Sequence, residues 1–251
     1  MNVIEEAIIL VGGLGTRLRS VIKDIPKPLA DVGGKPFLWH IINKLLKEDV
    51  KSVILSAGYK SELITEFARE FFHNESIDVV IEREPLGTGG AIRFSMAKVL
   101  GDYLFLLNGD SFFDIDLRKF EMDSFSVGEF DISIALCEME NPERFGVVEI
   151  DRDFNVIRFR EKGLESGIIS SAVQRGMEIK GKSYINAGIY ILKKSALESY
   201  LKNFLDKFSF EKDVLEKLDL RVIGIPYKGN FIDIGLPEDY MKASIDLYKR
   251  S

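Results

Sequence analysis

The sequence is poor in cysteine and histidine, and it has no excess of basic residues. Cys137 is the one cysteine among 251 residues, so an intramolecular disulfide cannot form. Lysine and arginine together number 34 against 40 aspartates and glutamates, which gives a formal net charge of -6. Proteins that bind a nucleic-acid backbone usually carry a basic surface, so we expect no nucleic-acid partner.

Long apolar runs are also missing. The longest, at residues 8–11 and 103–107, have the length of β-strands and fall far short of the roughly 20 residues that cross a bilayer. No basic region or cleavage-site pattern follows Met1, so we expect a cytoplasmic protein with no membrane span. His40 and His73 have no Ser, Cys or second His at a catalytic spacing, and no zinc pattern is present.

Short apolar runs alternate with amphipathic stretches through the first half of the chain. They are residues 7–11, 38–46, 53–56, 62–72, 79–81, 91–100 and 103–107. This strand and helix order predicts an α/β fold, Rossmann-like and three-layered, with a mixed, mostly parallel central sheet. In such sheets, ligands bind at the carboxyl ends of the strands.

The second half shows more strand-like alternation. Strands are predicted at residues 131–136, 146–150 and 156–159, a strand and a helix near Ile189 and Ser195, and a helix at 237–248. Residues 163–183 contain four glycines and no clear period, which is typical of a mobile flap or an insertion. We expect one domain over residues 1–251.

A glycine-rich stretch follows the first strand. Glycines let a backbone approach a phosphate closely, and an arginine beside them supplies a fixed positive charge. The residues concerned are Gly12, Gly13, Gly15 and Arg17. The GxGxxG pattern fails because the sixth position is Leu18, and the Walker pattern fails as well. A plain glycine-rich turn is the alternative, and the nearby Arg17 and Lys27 favour the phosphate site.

Lys27 lies between two prolines, Pro26 and Pro28. Proline fixes its own φ and disfavours helical backbone in the residue before it, so we expect an extended segment that holds the lysine. An ammonium group held in this way suits an oligophosphate, and an ordinary surface lysine is the alternative.

Two aspartates are candidates for a metal site. Asp110 follows the apolar run 103–107, at the carboxyl end of a predicted central strand, and Asp233 lies in the apolar segment 231–235. Protein-bound Mg²⁺ usually has one or two carboxylate ligands plus phosphates and water. The alternative for each is turn or helix capping, the role that we expect of Asp114 and Asp116. Glycines, cations and separated aspartates together favour phosphoryl chemistry.

Several motifs resemble those of the sugar-phosphate nucleotidyltransferases over residues 10 to 240. They are GGLGTRL, PKPL, EPLGTGGA, NGD, FGVVEID, FREK, INAGIY and FIDIG. Within that family, GGLGTRLRSVIKDIPKPL, LNGDSFFDIDL and FSFEKDVLEK look most like the D-glycero-α-D-manno-heptose 1-phosphate guanylyltransferases.

The resemblance implies an enzyme with a nucleotidyltransferase, glycosyltransferase-A-like fold. Such an enzyme joins a nucleoside triphosphate, here expected to be GTP, to a sugar 1-phosphate, with Mg²⁺ as cofactor. The products are an NDP-sugar for surface polysaccharide synthesis and pyrophosphate. The nucleotide-binding part would span about residues 1–115, and the sugar-binding part about 116–251.

The resemblance also implies roles for individual residues. Arg17, Lys27 and Asp110 would be catalytic, and Asp110 and Asp233 would hold the metal. The nucleotide would contact Leu10, Gly12, Gly13, Gly15, Thr16, Arg17, Glu82, Gly87 and Thr88, with Glu82 accepting hydrogen bonds from guanine. The sugar phosphate would contact Gly146, Glu161, Lys162 and Asn186. Many relatives have proline after the lysine, whereas this chain has Gly163.

Other functions stay open at this stage. The chain could instead be a mannose 1-phosphate guanylyltransferase, or a thymidylyl- or uridylyltransferase for hexose 1-phosphates. A silent subunit that binds an NDP-sugar and regulates a partner is a second alternative. A dinucleotide-dependent oxidoreductase is a third, and the failed GxGxxG pattern counts against it. The sequence leaves homo-oligomer formation open.

Overall fold

The computed structural model describes residues 3–13, 24–139, 142, 145–160 and 183–248, the side chains at 242 and 244–248 excepted. Its strands are β1 (Glu6–Leu10), β2 (Asp31–Val32), β3 (Lys35–Pro36), β4 (Ser52–Ala57), β5 (Ser76–Ile81), β6 (Tyr103–Asn108), β7 (Ser111–Phe113), β8 (Ile132–Met139), β9 (Val147–Ile150), β10 (Val156–Arg160), β11 (Ser183–Lys193), β12 (Val222–Tyr227) and β13 (Phe231–Asp233). Its α-helices are α1 (Phe37–Lys47), α2 (Ser61–Phe71), α3 (Gly87–Met96), α4 (Leu117–Val127), α5 (Lys194–Leu201) and α6 (Pro237–Tyr248). None of these helices has the length and hydropathy needed to cross a membrane.

The main sheet confirms the predicted fold class. Its strand order is β10-β9-β11-β6-β1-β4-β5, and β8 and β12 extend it from β11. Strands β6, β1, β4 and β5 are parallel, as the alternating strands and helices of the first half predict. The long strand β11 is antiparallel to β6 and β9 along one edge and to β8 along the other. The sheet therefore continues from the first half of the chain into the second.

Helices cover both faces of this sheet. Side chains alternate along each strand, so neighbouring residues enter different cores. On β1, Ile9 packs in the core that contains residues of α1, α2 and α4, whereas Ile8 packs in the core that contains residues of α3 and α5. Both isoleucines are fully buried. The layers are thus helix, sheet and helix, as predicted.

One predicted helix begins earlier than expected. The apolar pattern predicts a helix at residues 91–100, whereas α3 spans Gly87–Met96. In its glycine-rich first turn, the backbone N–H of Gly89 donates to the carbonyl of Phe208, far away in sequence, at 3.1 Å, and this contact helps to hold the turn in place. The predicted flap at residues 163–183 lies outside the described residues except for Ser183, which begins β11.

Replacing Gly87 by alanine is expected to destabilise the protein. Gly87 has a φ of +71°, and a Cβ at this position would overlap the carbonyl oxygen of Phe208. The unfavourable φ and the overlap with Phe208 together should lower the free energy of unfolding by about 2–4 kcal/mol. Urea unfolding measures the change. The control is Gly13→Ala, whose Cβ would meet no described atom within 4 Å. Equal stability of the two variants would contradict this packing.

Candidate functional site

The loops that follow the parallel strands meet at one edge of the sheet. Gly12 follows β1, Gly58 follows β4 and Glu82 follows β5. A Cβ on Gly12 would lie 3.1 Å from the backbone nitrogen of Gly58 and 3.2 Å from Oε1 of Glu82. The N–H of Gly109, after β6, donates to the carbonyl of Leu10 at 2.9 Å. Polar groups from four strands thus converge at the carboxyl edge, where ligands bind in such sheets.

Lys27 and two aspartates form the charged centre of this edge. Nζ of Lys27 lies 2.7 Å from Oδ2 of Asp110 and 3.7 Å from Oδ1 of Asp233. The lysine side chain is 11% exposed and that of Asp110 is 45% exposed, so the ion pair is only partly screened by water. The structure therefore brings together three side chains that the sequence pattern indicates separately.

Lys27 is positioned by a short 3₁₀ helix, Lys27–Leu29, and not by the extended segment predicted. The N–H of Leu29 donates to the carbonyl of Pro26 at 2.9 Å, and that of Ala30 donates to the carbonyl of Lys27 at 3.1 Å. Pro28 needs no donor in this turn, so its missing N–H costs nothing there. The local hydrogen bonds thus outweigh the preference of a residue before proline for extended backbone.

A two-stranded ribbon sets the two aspartates side by side. Strands β7 and β13 are antiparallel, and Asp233 pairs with Ser111, the residue after Asp110. The N–H of Ile234 donates to the carbonyl of Asp110 at 3.1 Å. The N–H of Gly235 donates to Oδ1 of Asp233 at 2.6 Å. Backbone pairing therefore holds the two aspartates next to each other, although they are far apart in the sequence.

The two carboxylates fit a hard divalent cation. Both carboxylates lie near Nζ of Lys27, so their oxygens face a common point at which a cation could bind. Mg²⁺ prefers oxygen ligands and in phosphate sites typically has one or two carboxylates, with phosphate and water completing the shell. Asp110 and Asp233 match that donor set. The described residues contain no cluster of three or more His, Cys, Asp or Glu side chains suited to a metal.

Glu82 is a second kind of carboxylate in the same edge. Burial raises its pKa above the ordinary carboxyl value, and a hydrogen bond from the backbone N–H of Leu86 partly opposes that rise. This N–H donates to Oε2 at 3.0 Å, while Oε1 lies on the side of Gly12. The carboxylate is thus oriented by its own loop and faces the predicted phosphate-binding glycines.

Thr88 faces a different part of the chain from the glycine loop. Its hydroxyl donates to Oε2 of Glu211 at 2.6 Å and accepts from the N–H of Phe210 at 2.9 Å. These contacts explain the position of Thr88 without a nucleotide, and its nucleotide contact stays a prediction. Gly87, just before it, packs against the carbonyl of Phe208.

Two of the residues predicted to bind the sugar lie together. The N–H of Asn186 donates to the carbonyl of Gly146 at 3.0 Å, and its side-chain amide donates to the hydroxyl of Tyr190 at 2.6 Å. The next residue, Ala187, accepts a hydrogen bond from the hydroxyl of Ser111 at 3.5 Å. The predicted sugar residues therefore adjoin the loop that carries Asp110.

Five predicted site residues lie outside the described part of the chain. They are Gly15, Thr16, Arg17, Glu161 and Lys162. Gly13 is the last described residue before the first of these gaps. Asp116 has the capping role expected of it, because it accepts from the N–H of Lys119 at 2.8 Å at the start of α4.

From the sequence, residues 208–217 (FSFEKDVLEK) are recognised only as a family motif, and the packing of Phe208 against the start of α3 is not predicted. A signal was present in the run GTGG at residues 87–90, because consecutive glycines in a helix usually mark a close backbone neighbour. The pattern does not reveal which segment that neighbour is.

Comparisons with known proteins agree with one another. The family model described as "Nucleotidyl transferase" matches residues 6–250. The D-glycero-alpha-D-manno-heptose 1-phosphate guanylyltransferase of Aneurinibacillus thermoaerophilus is 43% identical over 96% of this chain and 98% of that protein. The protein of the same name from Campylobacter jejuni is 42% identical over 94% and 96%. The crystal structure of HddC from Yersinia pseudotuberculosis has a TM-score of 0.81 and 38% identity, covering 97% of this chain and 100% of that one. HddC has also been solved in complex with GMP-PN.

Removing the ammonium of Lys27 is expected to strengthen binding of a divalent cation. Lys27→Met deletes a positive charge that competes for the oxygens of Asp110 and Asp233. We expect Mn²⁺ to bind about tenfold more tightly, which corresponds to roughly 1.4 kcal/mol. Electron paramagnetic resonance of free Mn²⁺ measures this affinity. The control is Lys119→Met, which removes a lysine 2.7 Å from Asp123 at another place. Matching affinities in the two variants would contradict a cation site between the two aspartates.

Proposed function

This chain belongs to the nucleotidyl transferase family, and on that premise we propose that it transfers a guanylyl group from GTP to D-glycero-α-D-manno-heptose 1-phosphate. The products are GDP-heptose, an activated sugar for surface polysaccharide synthesis, and pyrophosphate. The observation that carries the proposal is the cluster of Lys27, Asp110 and Asp233, with Glu82 and Asn186 at the same edge of the fold. The near full-length identity to heptose 1-phosphate guanylyltransferases supports the choice of substrates.

The reaction is a direct in-line displacement. A phosphate oxygen of the sugar 1-phosphate forms a bond to the α-phosphorus of GTP, and the bond from that phosphorus to the bridging oxygen breaks as pyrophosphate leaves. The side chains need only position the two substrates and neutralise the charge on the reacting phosphates. Lys27 would neutralise charge at the α-phosphate, together with Arg17.

Asp110 and Asp233 would hold Mg²⁺. When bound, the ion supplies positive charge to the phosphate oxygens of the nucleotide and orients them. The two carboxylates contribute rigidity, because the β7 and β13 ribbon fixes both of them by backbone hydrogen bonds.

Glu82 would select the base. Guanine presents two donors on one edge, the N1–H and the exocyclic amine, and a carboxylate is an acceptor for both. The half-buried Glu82 already has one oxygen oriented by Leu86. A base that offers fewer donors would leave this desolvated acceptor poorly satisfied, which costs binding energy.

Residues of the second half would hold the sugar phosphate. Gly146 and Asn186 are hydrogen-bonded neighbours next to the Asp110 loop, a position that suits a sugar whose phosphate meets the reacting nucleotide. Glu161 and Lys162 would complete this part, with the lysine pairing with the sugar phosphate.

Product mass tests the proposed function. The purified chain is incubated with Mg²⁺ and a grid of GTP, UTP, dTTP and CTP against hexose and heptose 1-phosphates. GDP-heptose as the main product is expected. If the main product contains mannose or a pyrimidine nucleotide, the proposed substrates are wrong, but the proposed type of reaction stands. If no combination releases pyrophosphate, the enzyme function is wrong and a binding subunit is the better description.

Asp110→Asn is expected to abolish most turnover and leave the fold intact. A neutral amide binds Mg²⁺ poorly, so kcat should fall by about a hundredfold or more. Pyrophosphate release measures it, and circular dichroism checks the fold. Asp116→Asn is the matched control, because asparagine caps a helix as well as aspartate does. Near-normal turnover of the Asp110 variant that still required Mg²⁺ would remove Asp110 from the metal site.

Glu82→Gln is expected to weaken discrimination between GTP and ITP, which lacks the exocyclic amine. Loss of an acceptor should cost roughly 1–3 kcal/mol with GTP and less with ITP, so the ratio of their kcat/KM values falls. Steady-state kinetics with both nucleotides measures this ratio. The exposed neighbour Glu84 provides the control, Glu84→Gln.

The ratio of kcat/KM for GTP to that for ITP should also depend on pH in the unaltered protein. Only the ionised carboxylate accepts from both donors, and burial raises the pKa of Glu82. As the pH falls through that raised pKa, Glu82 takes up a proton and the preference for GTP declines. This decline should begin at a higher pH than for an ordinary glutamate. An identical pH profile in the Glu82→Gln variant would remove Glu82 from base selection.

A further inference from the structure

A segment after α5 lies across the start of α3. This segment, residues 204–211, is called here the clamp segment. The N–H of Phe208 donates to the carbonyl of Leu86 at 3.0 Å, and the N–H of Gly89 donates to the carbonyl of Phe208 at 3.1 Å. No side chain caps α3, so the clamp segment provides a backbone acceptor to the first turn of the helix. The start of α3 therefore depends on a part of the chain about 120 residues away.

The glycines at residues 87–90 make this contact sterically feasible. A Cβ on Gly89 would overlap the ring of Phe208, and a Cβ on Gly90 would overlap the carbonyl oxygen of Asp206. Phe208 is only 8% exposed, and the centroid of its ring lies 4.9 Å from that of Phe204. The glycine motif that the sequence analysis attributes to nucleotide binding thus also has a close packing partner within the chain.

Side-chain hydrogen bonds fasten the clamp segment to α3 at two places. At one end, Glu211 accepts from the hydroxyl of Thr88 at 2.6 Å and from that of Ser209 at 3.0 Å. At the other end, the guanidinium of Arg93 donates to the carbonyl of Phe204 at 3.0 Å and to the carboxylate of Asp206 at 2.9 Å. Both sets of hydrogen bonds join side chains of α3 to the clamp segment.

Leu86 connects this packing with Glu82. Its carbonyl accepts from Phe208 in the clamp segment, and its N–H donates to Oε2 of Glu82 at 3.0 Å. The N–H and the C=O of Leu86 belong to the two planar peptide groups on either side of its Cα, so hydrogen bonds to both groups restrict the φ and ψ of this residue. The clamp segment and the carboxylate of Glu82 are therefore linked through the backbone of Leu86.

We propose that the clamp segment is a positioning element for Glu82, and that the hydrogen bond between Glu211 and Thr88 thereby determines how strictly the site selects guanine. The inference rests on the proposed function, since it assumes that Glu82 contacts the base. Glu211 acts through Thr88 and Leu86 and is a positioning residue, not a catalytic one. A loosened clamp segment leaves Glu82 chemically intact but less well oriented, so base selection weakens before turnover does.

Glu211→Ala tests this role. The ratio of kcat/KM for GTP to that for ITP is expected to fall about threefold to tenfold. The fall should come from a higher KM for GTP, with kcat within about twofold of the unaltered value. Glu211→Gln keeps an oxygen that can accept from Thr88, so it should restore most of the ratio.

A second pair of variants separates positioning from simple loss of stability. Thr88→Val removes the other partner of the same hydrogen bond and keeps the side-chain shape. Thr65→Val is its matched control, because the hydroxyl of Thr65 bonds the carbonyl of Ser61 within α2, at 2.9 Å. Thr88→Val should lower the GTP to ITP ratio, whereas Thr65→Val should change only the midpoint of thermal unfolding. If Glu211→Ala does not fold, the proposal is tested by comparing the GTP to ITP ratios of Thr88→Val and Thr65→Val.

The double variant identifies the route of the effect. If Thr88 and Glu211 act through their shared hydrogen bond, adding Thr88→Val to Glu211→Ala should change the ratio little further. Fully additive effects would show that Thr88 contacts the nucleotide directly and would overturn the positioning role. So would an unchanged ratio in variants that unfold at lower temperature. Inactivity of the unaltered chain with GTP and every sugar phosphate would instead overturn the proposed function, and this inference with it.

Discussion

The structure depends on holding one ammonium and two carboxylates within contact distance of each other. Lys27 lies 2.7 Å from Asp110 and 3.7 Å from Asp233, and its side chain is 11% exposed. Taking these charges partly out of water costs free energy, and their mutual attraction offsets that cost only while the geometry is maintained. The 3₁₀ helix at Lys27 and the β7 and β13 ribbon maintain it through backbone hydrogen bonds. A local change in either element would therefore act on the whole charged centre.

The main sheet explains how such distant residues meet. Parallel strands deliver the loops of the first half to one edge, and β11 brings the second half against β6. Asn186 lies on β11, and its neighbour Ala187 is hydrogen-bonded to Ser111 beside Asp110. The groups assigned to the nucleotide and to the sugar are thus carried on or next to the strands of one continuous sheet. This arrangement fixes their separation and suits a reaction in which two bound substrates must be aligned.

The sequence predicted the parts of this site that depend on local pattern. Asp110 is a candidate because it follows an apolar strand, and Asp233 is a candidate because a carboxylate is costly in an apolar segment. The backbone at Lys27 was predicted wrongly, since the hydrogen bonds of a three-residue helix outweigh the local proline preference. The start of α3 was also misplaced, because its first turn is stabilised by Phe208. The glycines at residues 87–90 indicate a close backbone neighbour, but nothing in their local sequence identifies which segment that neighbour is. Resemblance to a family was needed to assign Glu82 and Asn186, whose local sequence is not distinctive.

The two kinds of carboxylate in the site have different surroundings, and these suit different tasks. Asp110 and Asp233 face the ammonium of Lys27, and their oxygens point to one place that a cation would suit. Burial instead raises the pKa of Glu82, so ionising this group costs free energy before a nucleotide binds. A guanine edge with two donors would offset that cost, and a base with one donor or none would offset less of it. Because a buried acceptor without enough donors is penalised, discrimination would come mainly from rejecting other bases. Such rejection requires a carboxylate that cannot turn towards water, and the hydrogen bond from Leu86 limits that rotation.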